Sequence, residues 1–192
     1  MCHQRQSGDR TTPRDRYTLR DFLIITLLAA LGLATKSLLN PLSRTLLGAF
    51  SIPGGVFFGG LYMMWLALAR GFVNKAGSAT LTAFVQGGVV LVLGLSPVQG
   101  LLSTLIFLLP GVLVDLVFLI PGQARLYRLF RFTLSCLVAN VSGIILVALV
   151  WGIVGRPLIL LVAIGALSGG LGGLVAYLIS EKIPSRSLHP SV

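Results

Sequence analysis

The chain has 192 residues, 55% of them hydrophobic and only 10% charged, with a formal net charge of +10 and a mean hydropathy of +0.94. A soluble domain covers its surface with about 25% charged residues, so a water-soluble globule is excluded and one small integral membrane domain fits the length. The basic excess does not point to nucleic acid, because Lys and Arg occupy the short segments between apolar runs rather than one face.

Residues 1–20 are polar and carry Arg5, Arg10, Arg14, Arg16 and Arg20, which reads as a cytoplasmic tail. Six apolar stretches follow, at about 21–39, 56–69, 76–95, 98–120, 132–154 and 157–179. The second opens after Pro53-Gly54-Gly55, and the fourth closes at Pro121-Gly122. Most approach the ~20 residues that a helix needs to cross ~30 Å of hydrocarbon. Lipid offers no partner to a backbone N–H, so spans must satisfy their own, and continuous Leu/Val/Ile/Ala runs indicate helices rather than the alternation of a barrel. The first run lacks a clean small-x-small cleavage site and is expected to be retained as a span. The expected fold is an all-α integral membrane domain of six transmembrane helices over 21–182, followed by a short tail at 183–192.

Charge sets the orientation. With the N-terminus inside, the inner segments hold the five tail arginines, Arg70, Lys75, Arg125, Arg128, Arg131, Lys182 and Arg186. The outer ones hold Lys36, Arg44 and Arg156. Twelve against three places both termini in the cytoplasm by the positive-inside rule.

Few residues can carry chemistry. Of five acids, only Asp115 lies well inside an apolar run. A carboxylate at that depth costs a few kcal/mol unless it is paired or wetted (about 2.5–3.5 kcal/mol at a helix centre), so it marks function by default. The bland reading is contact through water with Arg125 or Arg128. Gln86 and Asn140 lie at similar depth, and Tyr62 and Trp65, three apart, fall on neighbouring faces of span two. Ser168 is central in span six. Six antiparallel helices can converge these groups on a pocket for a small, partly aromatic solute. The alternative is that Gln86 and Asn140 only bond across helices. The loop from 40 to 55 is the long outer loop and a candidate cover for such a site. Ala30 and Ala34 share a face of span one, and Gly165, Gly169, Gly170, Gly172 and Gly173 give span six a close-packing face.

Catalytic machinery is not expected. One membrane carboxylate is too few for a metal-dependent phosphotransferase. Paired Asp, or Ser with His, would be needed for an intramembrane protease, and both histidines, His3 and His189, lie in the tails. Cys2 and Cys136 form no metal pair or disulfide framework. No GxxxxGK[ST] occurs, so uphill transport would need another subunit to bind ATP. Neither cofactor nor metal is expected.

The order of features from Ile52 to Ile120 resembles one family, the S components of energy-coupling factor (ECF) vitamin transporters. The resemblance rests on Pro53-Gly54-Gly55 before span two and on Lys75-Ala76-Gly77-Ser78-Ala79 after a basic turn. It rests also on a Gly94-ended span three, the Pro110–Asp115 segment and the Ser168–Gly173 segment. It is nearest the branch associated with thiamin and its hydroxymethylpyrimidine precursor. It implies a six-helix, multi-pass subunit of a bacterial plasma membrane that captures a vitamin-sized molecule. The partners implied are a transmembrane T component, met at Ala30 and Ala34, and two ATPase subunits. The substrate-binding set expected is Tyr62, Trp65, Gln86, Asp115 and Asn140. Members that bind thiamin-like cations often carry a second membrane acid, where this chain has Ala83 and then Gln86. A neutral or zwitterionic precursor fits equally. A stand-alone carrier coupled through Asp115, or a membrane scaffold, remains as a different class of function.

The topology is tested by impermeant maleimide labelling of native Cys2 and of a Ser187→Cys variant in whole cells. Both are expected to react only after permeabilisation. Labelling of intact cells would reverse the orientation.

Overall fold

The computed structural model describes residues 17–47, 54–94, 101–122 and 124–183. Its helices are α1 (Leu19–Leu47), α2 (Gly54–Phe57), α3 (Gly59–Val73), α4 (Ser78–Val92), α5 (Leu101–Val117), α6 (Arg125–Trp151) and α7 (Arg156–Lys182). No strand occurs among the described residues. The fold is all-α, with six helices of at least 15 residues and the four-residue α2 as a lead-in to α3.

Local chemistry explains the boundaries. At the start of α1 the Thr18 hydroxyl accepts from the Asp21 N–H at 3.4 Å, and the Asp21 carboxylate accepts from the Thr18 N–H at 2.8 Å. This reciprocal box satisfies two donors that a helix start leaves over. Asn74, at φ 52, ends α3, and Gly152, at φ 67, ends α6. Both use the left-handed geometry that closes helices.

Expected and observed spans differ in length. α1 continues through Pro41 to Leu47, so residues 40–47 of the expected outer loop are helical, and 48–53 lie outside the described residues. α6 begins at Arg125, which makes Arg125, Arg128 and Arg131 helical rather than loop residues. By length and apolarity, residues 19–39 of α1, together with α6 and α7, qualify as membrane-crossing, while α4 and residues 104–117 of α5 are shorter apolar helices. At 1.5 Å per residue, α4 covers about 22 Å of the ~30 Å core. The expected tails lie mostly outside the described residues.

α3 is the centre of the bundle. It packs on α1, α4, α5, α6 and α7, and Leu66 through Arg70 are all buried. Its core face joins Leu28 of α1, Phe132 and Cys136 of α6, and Ala176 and Tyr177 of α7. Leucines 27, 38, 105, 149, 167 and 171 stay exposed on the outside. A water-soluble protein would hide them; a bilayer solvates them.

Small residues permit the closest crossings. A Cβ on Gly60 would strike the Ser168 carbonyl, and one on Gly172 would strike the Gly60 carbonyl. On α7's other contact, a Cβ at Gly173 would lie 2.5 Å from the Phe132 carbonyl oxygen, and one at Gly169 2.7 Å from Leu137 Cα. Gly170, by contrast, faces only the Thr133 methyl, at 4.0 Å. Lipid tails are as apolar as leucine, so helix association in a bilayer relies on such close packing.

Gly172→Ala is therefore expected to cost about 1–3 kcal/mol by overpacking, read as a lower melting temperature in detergent. Gly88→Ala, with open space around it, should leave the melting temperature unchanged or raise it slightly. Equal melting of the two variants would contradict the crossing.

Candidate functional site

The two ends of the bundle are chemically different. One end gathers the start of α1, the end of α3, the start of α4 and the ends of α5 and α7. Here Lys75 pairs with Asp21 at 2.5 Å, Arg70 with Asp115 at 3.2 Å and Arg125 with Glu181 at 2.8 Å. Tyr17 donates to the Ala76 carbonyl at 2.7 Å. A polar cavity of about 600 Å³ opens at this end, against Asn74, Arg128, Arg131 and Glu181.

Asp115 belongs to this end. Its carboxylate accepts from the Thr80 hydroxyl at 2.6 Å, the Thr80 N–H at 2.8 Å and the Ala79 N–H at 3.4 Å. These amides lie in the first turn of α4, whose N-cap is Gly77 and has no side-chain cap of its own. Asp115, reaching over from α5, does that capping, and the positive end of the α4 dipole favours its charge. Its cationic neighbour is Arg70, not Arg125 or Arg128. The acid in the apolar run of span four is thus a cross-helix cap held by an ion pair.

The second cavity, about 180 Å³, is mostly apolar and lies in the opposite half of the bundle. It is walled by Val56, Gly59, Tyr62, Met63 and Leu66 from α2 and α3, and by Ile106 and Phe107 from α5. Asn140, Gly143, Ile144, Val147 and Ala148 of α6 close it with Leu161 of α7, Ile153 between them, Gln86 of α4 and Lys36 of α1. An apolar chamber with a few convergent polar groups is the usual form of a small-molecule site. The larger cavity is a polar opening beside the charged helix ends, so size does not decide the matter.

The structure brings Tyr62, Gln86 and Asn140 together at this chamber and leaves Trp65 and Asp115 out of its wall. Trp65 donates its indole N–H to the Thr35 hydroxyl at 3.0 Å, tying α3 to α1. Asn140 is buried and donates to the Gly165 carbonyl at 2.7 Å, while its Oδ1 occupies the space that the absent Cβ of Gly59 leaves. Asn140 thus both joins α6 to α7 and forms wall. Ser168 accepts from the Gly60 N–H at 3.1 Å and donates to the Phe57 carbonyl at 2.5 Å, holding α2 and α3 on α7. Gln86 is 6% exposed; its Nε2 has no hydrogen-bond partner among the described residues. Gly32 of α1 makes room for that amide.

Sequence reasoning passed over Lys36, counted only as an outer basic residue. Its Nζ lies 4.2 Å from the centroid of the Phe107 ring. The available signal was the continuation of the apolar run through Leu38 and Leu39, which puts Lys36 inside the span. Ala30 and Ala34 are both exposed, on a lipid-side face shared with Leu23, Leu27 and Leu31.

One family profile matches residues 20–145, that of the ABC-type cobalt transport system, permease component. The chain belongs to this family, and so is a membrane component of an ABC-type transport system, which works with ATPase subunits. No curated protein and no solved structure matches it.

Asp115→Ala strips a mostly buried arginine of its counter-charge and α4 of its cap. The expected loss is about 3–5 kcal/mol of stability, measured by thermal melting in detergent. An unchanged melting temperature would contradict the capping role.

Proposed function

We propose that the protein is the substrate-capturing S component of an ECF-type transporter in a bacterial plasma membrane. It takes a vitamin or vitamin precursor into the chamber between its helices, and partner subunits supply the ATP hydrolysis that drives uptake. The observation that carries this reading is the chamber itself: mostly apolar, lined by Tyr62, Gln86 and Asn140, and set away from the charged end. Under the positive-inside assignment the chamber lies in the outer half, where a capture site for uptake belongs.

Its volume favours a single ring. Cavities of about 150 Å³ accept benzene, so about 180 Å³ is room for a single ring such as that of the hydroxymethylpyrimidine precursor. Cobalt, the cargo in the family's description, suits this lining poorly. It offers the Lys36 ammonium and neutral side chains, and no group of three or more His, Cys, Asp or Glu occurs among the described residues. Soft or borderline cations need such donors.

The protein works here as a binder rather than an enzyme. The T component docks on the exposed α1 face at Ala30 and Ala34, where small side chains allow a partner helix to approach. A carrier coupled through Asp115 is disfavoured, since that carboxylate is committed to Arg70 and the α4 amides.

The test is affinity purification of the tagged chain from its native membrane, paired with uptake of labelled hydroxymethylpyrimidine, thiamin and Co²⁺. Co-purification with a T component and ATPases, and uptake of the ring compound that needs all of them, is expected. Uptake of Co²⁺ alone, or solute flux independent of the partners, would overturn the reading.

A further inference from the structure

The charge of the chamber restricts its ligand. Lys36 is the ionisable group of formal charge in the lining. The described acids Asp21, Asp115 and Glu181 are engaged with Lys75, Arg70 and Arg125 at the other end. Lys36 therefore has no carboxylate among the described residues, and its ammonium lies over the face of Phe107. A cation–π contact contributes about 0.5–2 kcal/mol, which only partly offsets taking an ammonium out of water. An ionisable side chain placed inside a span, facing a cavity and lacking a counter-ion, marks a ligand or ion path.

The neutral polar groups on the same lining are already placed. Asn140 donates to the Gly165 carbonyl, and the Gln86 Nε2 is closed in against Gly32 of α1. Among the described residues, the free polar capacity of the chamber is thus the charge of Lys36.

We propose that the chamber takes a ligand of one-ring size carrying an anionic group, a carboxylate or a phosphate monoester. That group pairs with Lys36, and the ring rests among Phe107, Met63 and Leu66. This rests on the reading of the protein as a small-molecule capture subunit and narrows its ligand: quaternary cations are repelled, and an anionic derivative of the single ring binds more tightly than the neutral ring.

The experiment uses the full chain in lipid nanodiscs, with benzoate, benzyl phosphate, benzamide and benzyltrimethylammonium as probes, followed by calorimetry. At least one anion should bind about tenfold or more tighter than benzamide, equivalent to about 1.4 kcal/mol. Preference for benzoate identifies a carboxylate site, and preference for benzyl phosphate a phosphate site. Lys36→Met should bring anion and amide within about twofold of each other, and Lys36→Arg should keep most of the preference. The wild-type series decides by itself should Lys36→Met not fold. Benzamide or the quaternary cation binding as tightly as both anions overturns the anionic ligand while leaving the capture subunit standing. So does undiminished anion binding by folded Lys36→Met. Absence of binding by every probe, with no small molecule retained on the purified protein by mass spectrometry, overturns both.

Discussion

A polar group inside hydrocarbon has only the protein to bond to, and this single constraint organises the molecule. It forces the backbone into helices, and it also governs their ends. α4 starts on a glycine that cannot cap it, so the amides of Ala79 and Thr80 are met by Asp115 from the neighbouring helix. The carboxylate is in turn balanced by Arg70 from α3. Three helices are thereby locked by one acid. The same rule accounts for Asn140 on the Gly165 carbonyl, Ser168 on the Phe57 carbonyl and Trp65 on Thr35. Each removes an unsatisfied group and joins two helices in doing so.

Packing supplies the rest. Without water to drive apolar surfaces together, helices gain mainly by close approach. α3 can be central because Gly59 and Gly60 admit Asn140 and the backbone of α7. The cost is rigidity: a crossing built on backbone-to-backbone contact has no slack for one added methyl group. The chamber lies beside this crossing, so its walls at Gly59 and Asn140 inherit that stiffness. Preorganised walls reduce the ordering cost of binding.

The two ends divide the work. Paired charges gather where the positive-inside count puts the cytoplasm, and there they fix helix starts and finishes. The opposite half keeps its polar groups sparse, and Lys36 has no carboxylate partner there among the described residues. The exposed α1 face adds a third surface, on which Ala30 and Ala34 lie among Leu23, Leu27 and Leu31.

Composition and hydropathy alone determined the all-α membrane class, the approximate span positions and the charge asymmetry, because the bilayer imposes those demands on each segment independently of its neighbours. The separation of Asp115 from Gln86 was only partly legible: closeness to the cytoplasmic arginines offered a structural reading of Asp115, but not its partners. Both are single polar residues in apolar runs, and only the packing of α5 against the start of α4 decided that one would cap a helix while the other faced a cavity. The assignment of Trp65 failed to emerge for the same reason, since its partner Thr35 lies 30 residues away in the chain. Lys36 was visible as a charge but not as a wall, because its meaning depends on Phe107 standing opposite. Segment-level physics is written in the chain order; which polar group is spent and which is left free is a property of the assembled bundle.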